Sequence, residues 1–428
     1  MIGNPLTAGP PILTRNPYLQ MGRQTAITIR WRTDIPSFGR VEVGPAFGTY
    51  TTSTTDETCA TTEHEVTITG LTPDTKYFYR VGATSGTILQ AATNNFFTTL
   101  PPTNTARKLR FAVYGDCGRN NNGFQTGSIA QYERFLSDNG IDAADGMMLL
   151  GDNAYNNGTE AEYISGFFTP FGANLLKNHK LYPAPGNHDY YRTSTTSRSG
   201  AYYQNFTMPT NGEIGGEPSG TEAYYSYDIG DVHFLALDSY GEEAGATKMY
   251  DTLGPQVTWI KADLAANTKK WVVAYWHHPP YTKGSHDSDT ESDLVAVREN
   301  FIRILERNGV DMILCGHSHD YERSYLLKGY YKTNPGDPAL NGVNFNVNTH
   351  AVNNSSGKYD GTANSCTYTT ASGKVHHGTV YVLSGSSGAN GGVVTSSPDT
   401  WPHNALPFSI DEGGMFYFEV ENNRLDAK

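Results

Sequence analysis

The feature that most constrains this chain is a repeated junction of an apolar run with cation-binding residues. Leu109–Tyr114 leads into Gly115-Asp116-Cys117-Gly118, and Met147–Leu150 leads into Gly151-Asp152-Asn153-Ala154-Tyr155. Trp271–Trp276 leads into His277-His278, and Met312–Cys315 into Gly316-His317-Ser318-His319. A fifth block, Gly186-Asn187-His188-Asp189, follows a proline-rich approach at Pro183 and Pro185. Short apolar runs predict buried strands. The glycines let the backbone turn sharply beside a bulky site. His317 and His319 stand two residues apart where a strand stops. A turn there can aim both rings at one point, and a continuing strand would also place them on one face.

Between these strands the spacing turns helical. Ile129, Tyr132, Phe135 and Leu136 predict a helix over 128–139, closed by Gly140. Val257, Ile260 and Leu264 predict another over 255–267, and Leu294, Val297, Phe301 and Ile304 a third over 292–308. Val232–Leu237, Thr379–Leu383 and Met415–Val420 read as further strands. Strands alternating with helices predict an α/β domain over 108–428. Its polar loops follow strand ends, where open α/β sheets place their sites. The Asn-, Gly- and Thr-rich stretch 330–373 has little periodicity and is expected to be a surface insertion.

The first hundred residues follow a different pattern. After a Pro/Gly-rich extension over 1–15, apolar residues alternate with polar ones: Ile27, Ile29 and Trp31; Val41 and Val43; Val66 and Ile68; Tyr77, Tyr79 and Val81. The spacing Leu71-x-Pro73-x-x-x-Tyr77 resembles a tyrosine corner. Residues 16–100 are therefore expected to form an all-β, fibronectin type III-like sandwich. Pro101-Pro102-Thr103-Asn104-Thr105 is the expected linker.

Composition narrows the partners. The 428 residues carry 31 Lys+Arg against 43 Asp+Glu, a formal net charge of -12. That disfavours nucleic acid or an anionic membrane as the main partner. Only 17% of residues are charged, below the roughly 25% of an average soluble chain. With Thr, Asn, Gly and Tyr filling the difference, a secreted or periplasmic protein is expected. Met1–Pro11 lacks a basic segment followed by an apolar run, so the leader of such a protein is expected to have been removed. The end at Asp426-Ala427-Lys428 is abrupt, as a trimmed C-terminal module would leave it. Cys59, Cys117, Cys315 and Cys366 allow three pairings. Cys117 and Cys315, each inside a motif, either approach one another or serve as small buried hydrophobes. Asn157, Asn205, Asn353 and Asn354 head N-x-Ser/Thr triplets.

Taken singly, each polar residue has an ordinary explanation. Asp116 or Asp152 could cap a helix, Asn187 could form a turn, and Tyr155 is one of 28 tyrosines. Together, two aspartates, an asparagine, three histidines and a tyrosine make a mixed oxygen and nitrogen donor set. Such a set suits Fe, Mn or Zn rather than a soft thiolate metal. Seven donors exceed one tetrahedral ion but suit two ions bridged by a carboxylate. Two ions about 3.5–4 Å apart form the clamp used for in-line phosphoryl displacement.

The ordered set GDxG, GDxxY, GNHD, His after an apolar strand, and GHxH resembles the calcineurin-like metallophosphoesterases. Tyr155 and the run Gly316-His317-Ser318-His319-Asp320-Tyr321-Glu322-Arg323 narrow the resemblance to plant-type purple acid phosphatases. It covers Asn16–Arg323 and Gly378–Val420. The resemblance implies an α/β sandwich of two mixed sheets flanked by helices after the N-terminal sandwich. It implies that Asp116, Tyr155 and His319 hold a ferric ion. Asn187, His277 and His317 would hold a divalent ion (Fe, Zn or Mn), with Asp152 bridging. His188 would lie beside the phosphate, oriented by Asp189. His286, nine residues after His277, falls where plant-type members carry a substrate-facing histidine. His278 stands where that pattern often has Ser, and a supporting role is expected of it. His64, His179, His233, His350, His376, His377 and His403 read as structural.

The implied reaction is hydrolysis of small phosphate monoesters at acidic pH, by a metal-activated hydroxide attacking phosphorus, with His188 or His286 donating to the leaving group. The alternatives are a phosphodiesterase or nucleotide phosphatase on the same scaffold, and a cell-surface binding module with a vestigial site.

Overall fold

The computed structural model describes residues 9–119, 123–243, 245–331, 345–355, 377–395 and 401–428. The chain forms two compact units. The first runs to Pro101 and also takes in Phe171–Lys180; the second contains Pro102–Pro170 and Leu181–Lys428.

The first unit is all-β. Strands Leu13–Gln20, Ile27–Ser37 and Thr61–Ile68 form one antiparallel sheet, and Ser53–Asp56, Gly39–Gly44, Lys76–Ala83 and Ile88–Thr98 form another. Their alternating apolar residues share one core: Ile27, Ile29, Trp31, Val66 and Ile68 from one sheet with Val41, Val43, Tyr79, Val81 and Phe97 from the other. The Tyr77 hydroxyl accepts the Thr72 N–H at 3.1 Å, closing the corner its spacing announced. The strand at Ile27 departs from simple alternation, because Thr28 and Arg30 are buried as well.

The second unit has two mixed sheets. In the five-stranded one, Leu181–Ala184, Gly146–Leu150 and Leu109–Tyr114 run parallel, followed by antiparallel Phe416–Glu421 and Arg424–Ala427. In the seven-stranded one, Val232–Ala236, Trp271–Trp276, Met312–Cys315 and Thr379–Ser384 run parallel. Antiparallel Tyr225–Ile229 flanks them on one side, and Tyr321–Leu327 with Phe408–Ile410 on the other. Aromatic side chains link the sheets. Phe111 meets Phe234 edge-on at 5.0 Å, and Tyr182 stacks on Tyr227 at 4.1 Å. Pro183, with no N–H to give, sits in the strand at the sheet's edge.

The three helices expected from periodicity are present, and a helical run over 160–172 is additional to them. Phe124–Asp138 buries Ile129, Tyr132 and Leu136, and Pro255–Ala266 buries Val257, Ile260 and Leu264. Ser292–Ala296, Val297–Phe301 and Ile302–Arg307 form one helical run with a π turn at its middle. Strands Tyr225–Ile229, Tyr321–Leu327 and Phe408–Ile410 are additional to those expected, although Tyr225, Tyr227 and Ile229 do alternate with Ser226 and Asp228. Cys117 and Cys315 are buried free thiols, as their packing alternative required, and Cys59 is exposed and free. Cys366, His376 and most of the expected insertion lie outside the described residues.

The parallel strands carry the functional consequence. Three carboxyl ends of the first sheet deliver Asp116, Asp152 and Asn187, and two of the second deliver His277 and His317.

Candidate metal centre

The strand-end turns are tight and interlocked. Asp116, Asp152 and His317 all take left-handed backbone, with φ of 55°, 53° and 72°. Each such residue costs of order 1–3 kcal/mol, and strain of this kind gathers at functional sites. Bonds between the turns hold it. The Asp116 N–H donates to Gly151 O (3.2 Å), the Gly316 N–H to His277 O (3.0 Å), and the His317 N–H to Asp116 Oδ2 (2.8 Å). Two glycines admit the close approach. A Cβ on Gly186 would stand 2.2 Å from Asp152 Oδ1, and one on Gly316 2.5 Å from Asp116 Oδ2.

Two donor clusters result. In the first, the Tyr155 hydroxyl lies 2.9 Å from Asp116 Oδ1 and 3.3 Å from His319 Nε2, while His319 Nε2 lies 3.4 Å from Asp116 Oδ1. Burial, and then the nearby Asp116 charge, push the Tyr155 phenol well above its ordinary value. Only a strong local cation would make this phenol ionise readily.

In the second cluster, His277 Nε2 is the hub. It lies 3.0 Å from Asn187 Oδ1, 3.3 Å from Asp152 Oδ2 and 3.2 Å from His317 Nδ1. His277 Nδ1 faces the Leu150 carbonyl at 2.9 Å, so the neutral ring keeps its proton there and turns a lone pair inward. Acceptors then face acceptors. In the metal-free protein a proton relieves this: burial alone would lower His277, but Asp152 and Asp116 hold it up to about 9. Burial alone would raise Asp152, but His277 and His188 outweigh it and hold the carboxyl low. His317 goes the other way, lowered by burial and by the rings of His278 and His277. Donor atoms of Asp116, Asp152 and His277 lie within 4.8 Å of one another, so the clusters adjoin through Asp152. These residues fit a cation-binding role by chemistry and position.

The flanking residues part from expectation in one respect. His188 stands at the rim, its Nε2 3.8 Å from Asp152 Oδ2 and its ring 4.4 Å from that of Tyr155. Asp189 does not orient it. The His188 Nδ1–H donates to Asn156 O at 2.7 Å. Asp189 is buried and accepts from Gly186 N (2.8 Å), Asn153 N and Nδ2 (both 3.2 Å) and the Tyr163 hydroxyl. The reason is helical geometry. Asp189 is the third residue of the short helix Asn187–Tyr190 and folds back on its start, pointing away from the neighbouring ring. Burial, and then the Asp152 charge, raise its carboxyl.

His286 stacks on His317 at 3.7 Å, with Nδ1 held by Glu291 at 2.9 Å. His278 is buried, bonds Ser239 Oγ at 2.9 Å, and lies 4.4 Å from the His317 ring. Asn156, Glu291 and Ser239 thus support the site. Their only sequence signal is proximity to a motif, and Ser239 lacks even that. Elsewhere, His64 bonds Glu57 at 2.6 Å, His377 bonds Asp311 at 3.0 Å, and His233 lies between Asp228 and Asp263 at 2.8 and 2.7 Å.

Comparison with known proteins bears on the two domains and their fold. Residues 109–321 match the calcineurin-like phosphoesterase family model, and residues 14–99 match that of the purple acid phosphatase N-terminal domain. Purple acid phosphatase 15 of Arabidopsis thaliana is 31% identical over 293 residues, covering 62% of this chain and 50% of its own length. Purple acid phosphatase 23 of the same plant is 28% identical, covering 62% and 58%. The chain thus spans about half the length of these relatives. A purple acid phosphatase from yellow lupin (Lupinus luteus) seeds shares the fold at a TM-score of 0.66 and 19% identity, over 96% of this chain and 71% of that one. Motif order, fold and matched domains agree: the chain joins a purple acid phosphatase N-terminal domain to a calcineurin-like phosphoesterase domain, and is similar to purple acid phosphatases.

Proposed function

We propose that this protein hydrolyses small phosphate monoesters at a centre of two cations. Asp116, Tyr155 and His319 would hold a ferric ion, and Asn187, His277 and His317 a divalent one (Fe, Zn or Mn), with Asp152 available to both. The observation that carries the reading is the convergence of these donors from five strand ends, with Asp116, Asp152 and His277 within 4.8 Å of one another. The names of the Arabidopsis relatives support the acid phosphatase reading.

Bound there, the cations would neutralise phosphate oxygens and acidify a water that becomes the nucleophile toward phosphorus. The side chains supply the rest. Asn156 fixes the His188 ring with Nε2 turned to the site, where an imidazolium can donate to a phosphate oxygen or to the leaving alkoxide. Glu291 fixes His286 in the same manner over His317. Asp189 acts through the loop, holding Gly186 and Asn153 in place. An acidic optimum accords with a trivalent ion, which acidifies water strongly, and with protonated imidazole as proton donor. Export of the protein belongs to this reading, on its low charged content. Among the described residues no helix is long and apolar enough to cross a membrane.

The test is metal analysis with a visible spectrum, followed by rates on p-nitrophenyl phosphate and bis-p-nitrophenyl phosphate across pH. Two ions per chain, a phenolate-to-iron band and faster monoester cleavage in acid are expected. Faster diester cleavage would transfer the assignment to a phosphodiesterase, and a metal-free, inactive protein would abolish it. Absence of the native protein from its host's exported fraction removes export from the reading.

A further inference from the structure

Two adjacent tyrosines close the Asn187 helix and do different things. Tyr190 is buried and donates to Asp238. Tyr191 is 49% exposed, so burial in the core does not fix its place. Its ring lies 4.4 Å from that of His188 and 6.4 Å from that of Tyr240. Its hydroxyl, four residues on from Asn187 and thus on the same helical face, accepts the Asn187 Nδ2–H at 2.7 Å. The other end of that amide, Oδ1, points to His277 Nε2 at 3.0 Å.

An amide has one acceptor end and one donor end. With Oδ1 turned toward a cation, the NH2 must find an acceptor on the opposite side, and the Tyr191 hydroxyl is placed there. Without it, the NH2 would be left unsatisfied, or the amide would turn over and direct its NH2 inward instead. The first leaves a buried donor unpaired. The second removes the oxygen from the cation.

We propose that Tyr191 is a positioning residue: its hydroxyl sets which end of the Asn187 amide faces inward, and so sets the affinity of that half of the centre for a divalent ion. The proposal rests on the reading of Asn187 as a ligand. Outer partners of metal ligands are typically worth about 10–100-fold in metal affinity. Tyr191→Phe keeps the ring against His188 and removes only the oxygen.

The experiment is competition for Zn2+ between a chelator and the full chain, wild type and Tyr191→Phe, with the coloured ion already in place. Tyr191→Phe should bind Zn2+ at least tenfold more weakly, with the visible band of the Tyr155 cluster unmoved and the melting temperature of the metal-free protein unchanged. Tyr191→Ala should weaken Zn2+ binding to a similar degree. Wild-type Zn2+ affinity in Tyr191→Phe overturns the proposal, and so does a loss confined to Tyr191→Ala, which would assign the effect to the ring. A wild-type protein that takes up no second ion from Zn2+, Mn2+ or Fe2+ removes the two-cation reading, and this proposal with it. Wild-type binding of two ions with an indifferent Tyr191→Phe removes this proposal alone.

Discussion

The two donor clusters differ in charge more than in shape. Around Asp116 stand a carboxylate, a phenol that ionises only beside a strong cation, and one imidazole. Around His277 stand an amide oxygen and two imidazoles, all neutral when they act as ligands. Asp152 belongs to both. A cluster able to supply two negative charges suits a trivalent ion, and one supplying none suits a divalent ion. His233 shows what a buried imidazole does without such company. A carboxylate closes each of its ring nitrogens, at 2.8 and 2.7 Å, leaving no further donor to share a cation. Imidazole beside carboxylate is therefore common to both places, and the additional converging acceptors distinguish the candidate centre.

Asp152→Ala strikes the shared residue and should have the largest effect. Neither ion should be retained, and p-nitrophenyl phosphate hydrolysis should fall by more than the roughly 100-fold that loss of an outer partner can cost. Metal analysis showing two ions still bound in this variant would break the comparison. The next pair separates the halves. Tyr155→Phe should lose the visible band and keep a divalent ion, while Asn187→Ala should keep the band and lose the divalent ion. A coloured Tyr155→Phe protein would show that the phenol is no ligand.

The smallest effect belongs to His233. Burial alone would lower it, but Asp228 and Asp263 hold it up to about 9, above its ordinary 6.5. A folded-state value above the unfolded one contributes stability that is fully present below about 6.5 and is lost as pH rises through about 9. His233→Gln should therefore flatten the fall in stability across that window. The slope it removes is at most about 1.4 kcal/mol per pH unit. Urea midpoints between pH 6 and 10 would measure it, and an unchanged slope would assign the window to other groups.

Much of this was legible in the sequence for a local reason. An apolar run followed by Gly-Asp or Gly-His names both a buried strand and the polar residue at its end, as at Leu109–Tyr114 and Met312–Cys315. The period of two around Ile29 and Tyr79 named the sandwich, and the spacing of Tyr77 from Leu71 named its corner. Asp189 shows the limit. Its place beside His188 suggested a contact between the two side chains, yet a turn of helix sends them in different directions.

By itself the sequence determined which residues could serve as ligands and where strands would stop, because apolar runs and glycine turns are written in adjacent residues. Only the tertiary structure decided that Asn156 rather than Asp189 holds His188, that Glu291 holds His286, and that the Tyr191 hydroxyl meets the Asn187 amide. The physical reason is direction. A hydrogen bond depends on where a side chain points, and that follows from helix phase and from turns packed against strands far away in the chain.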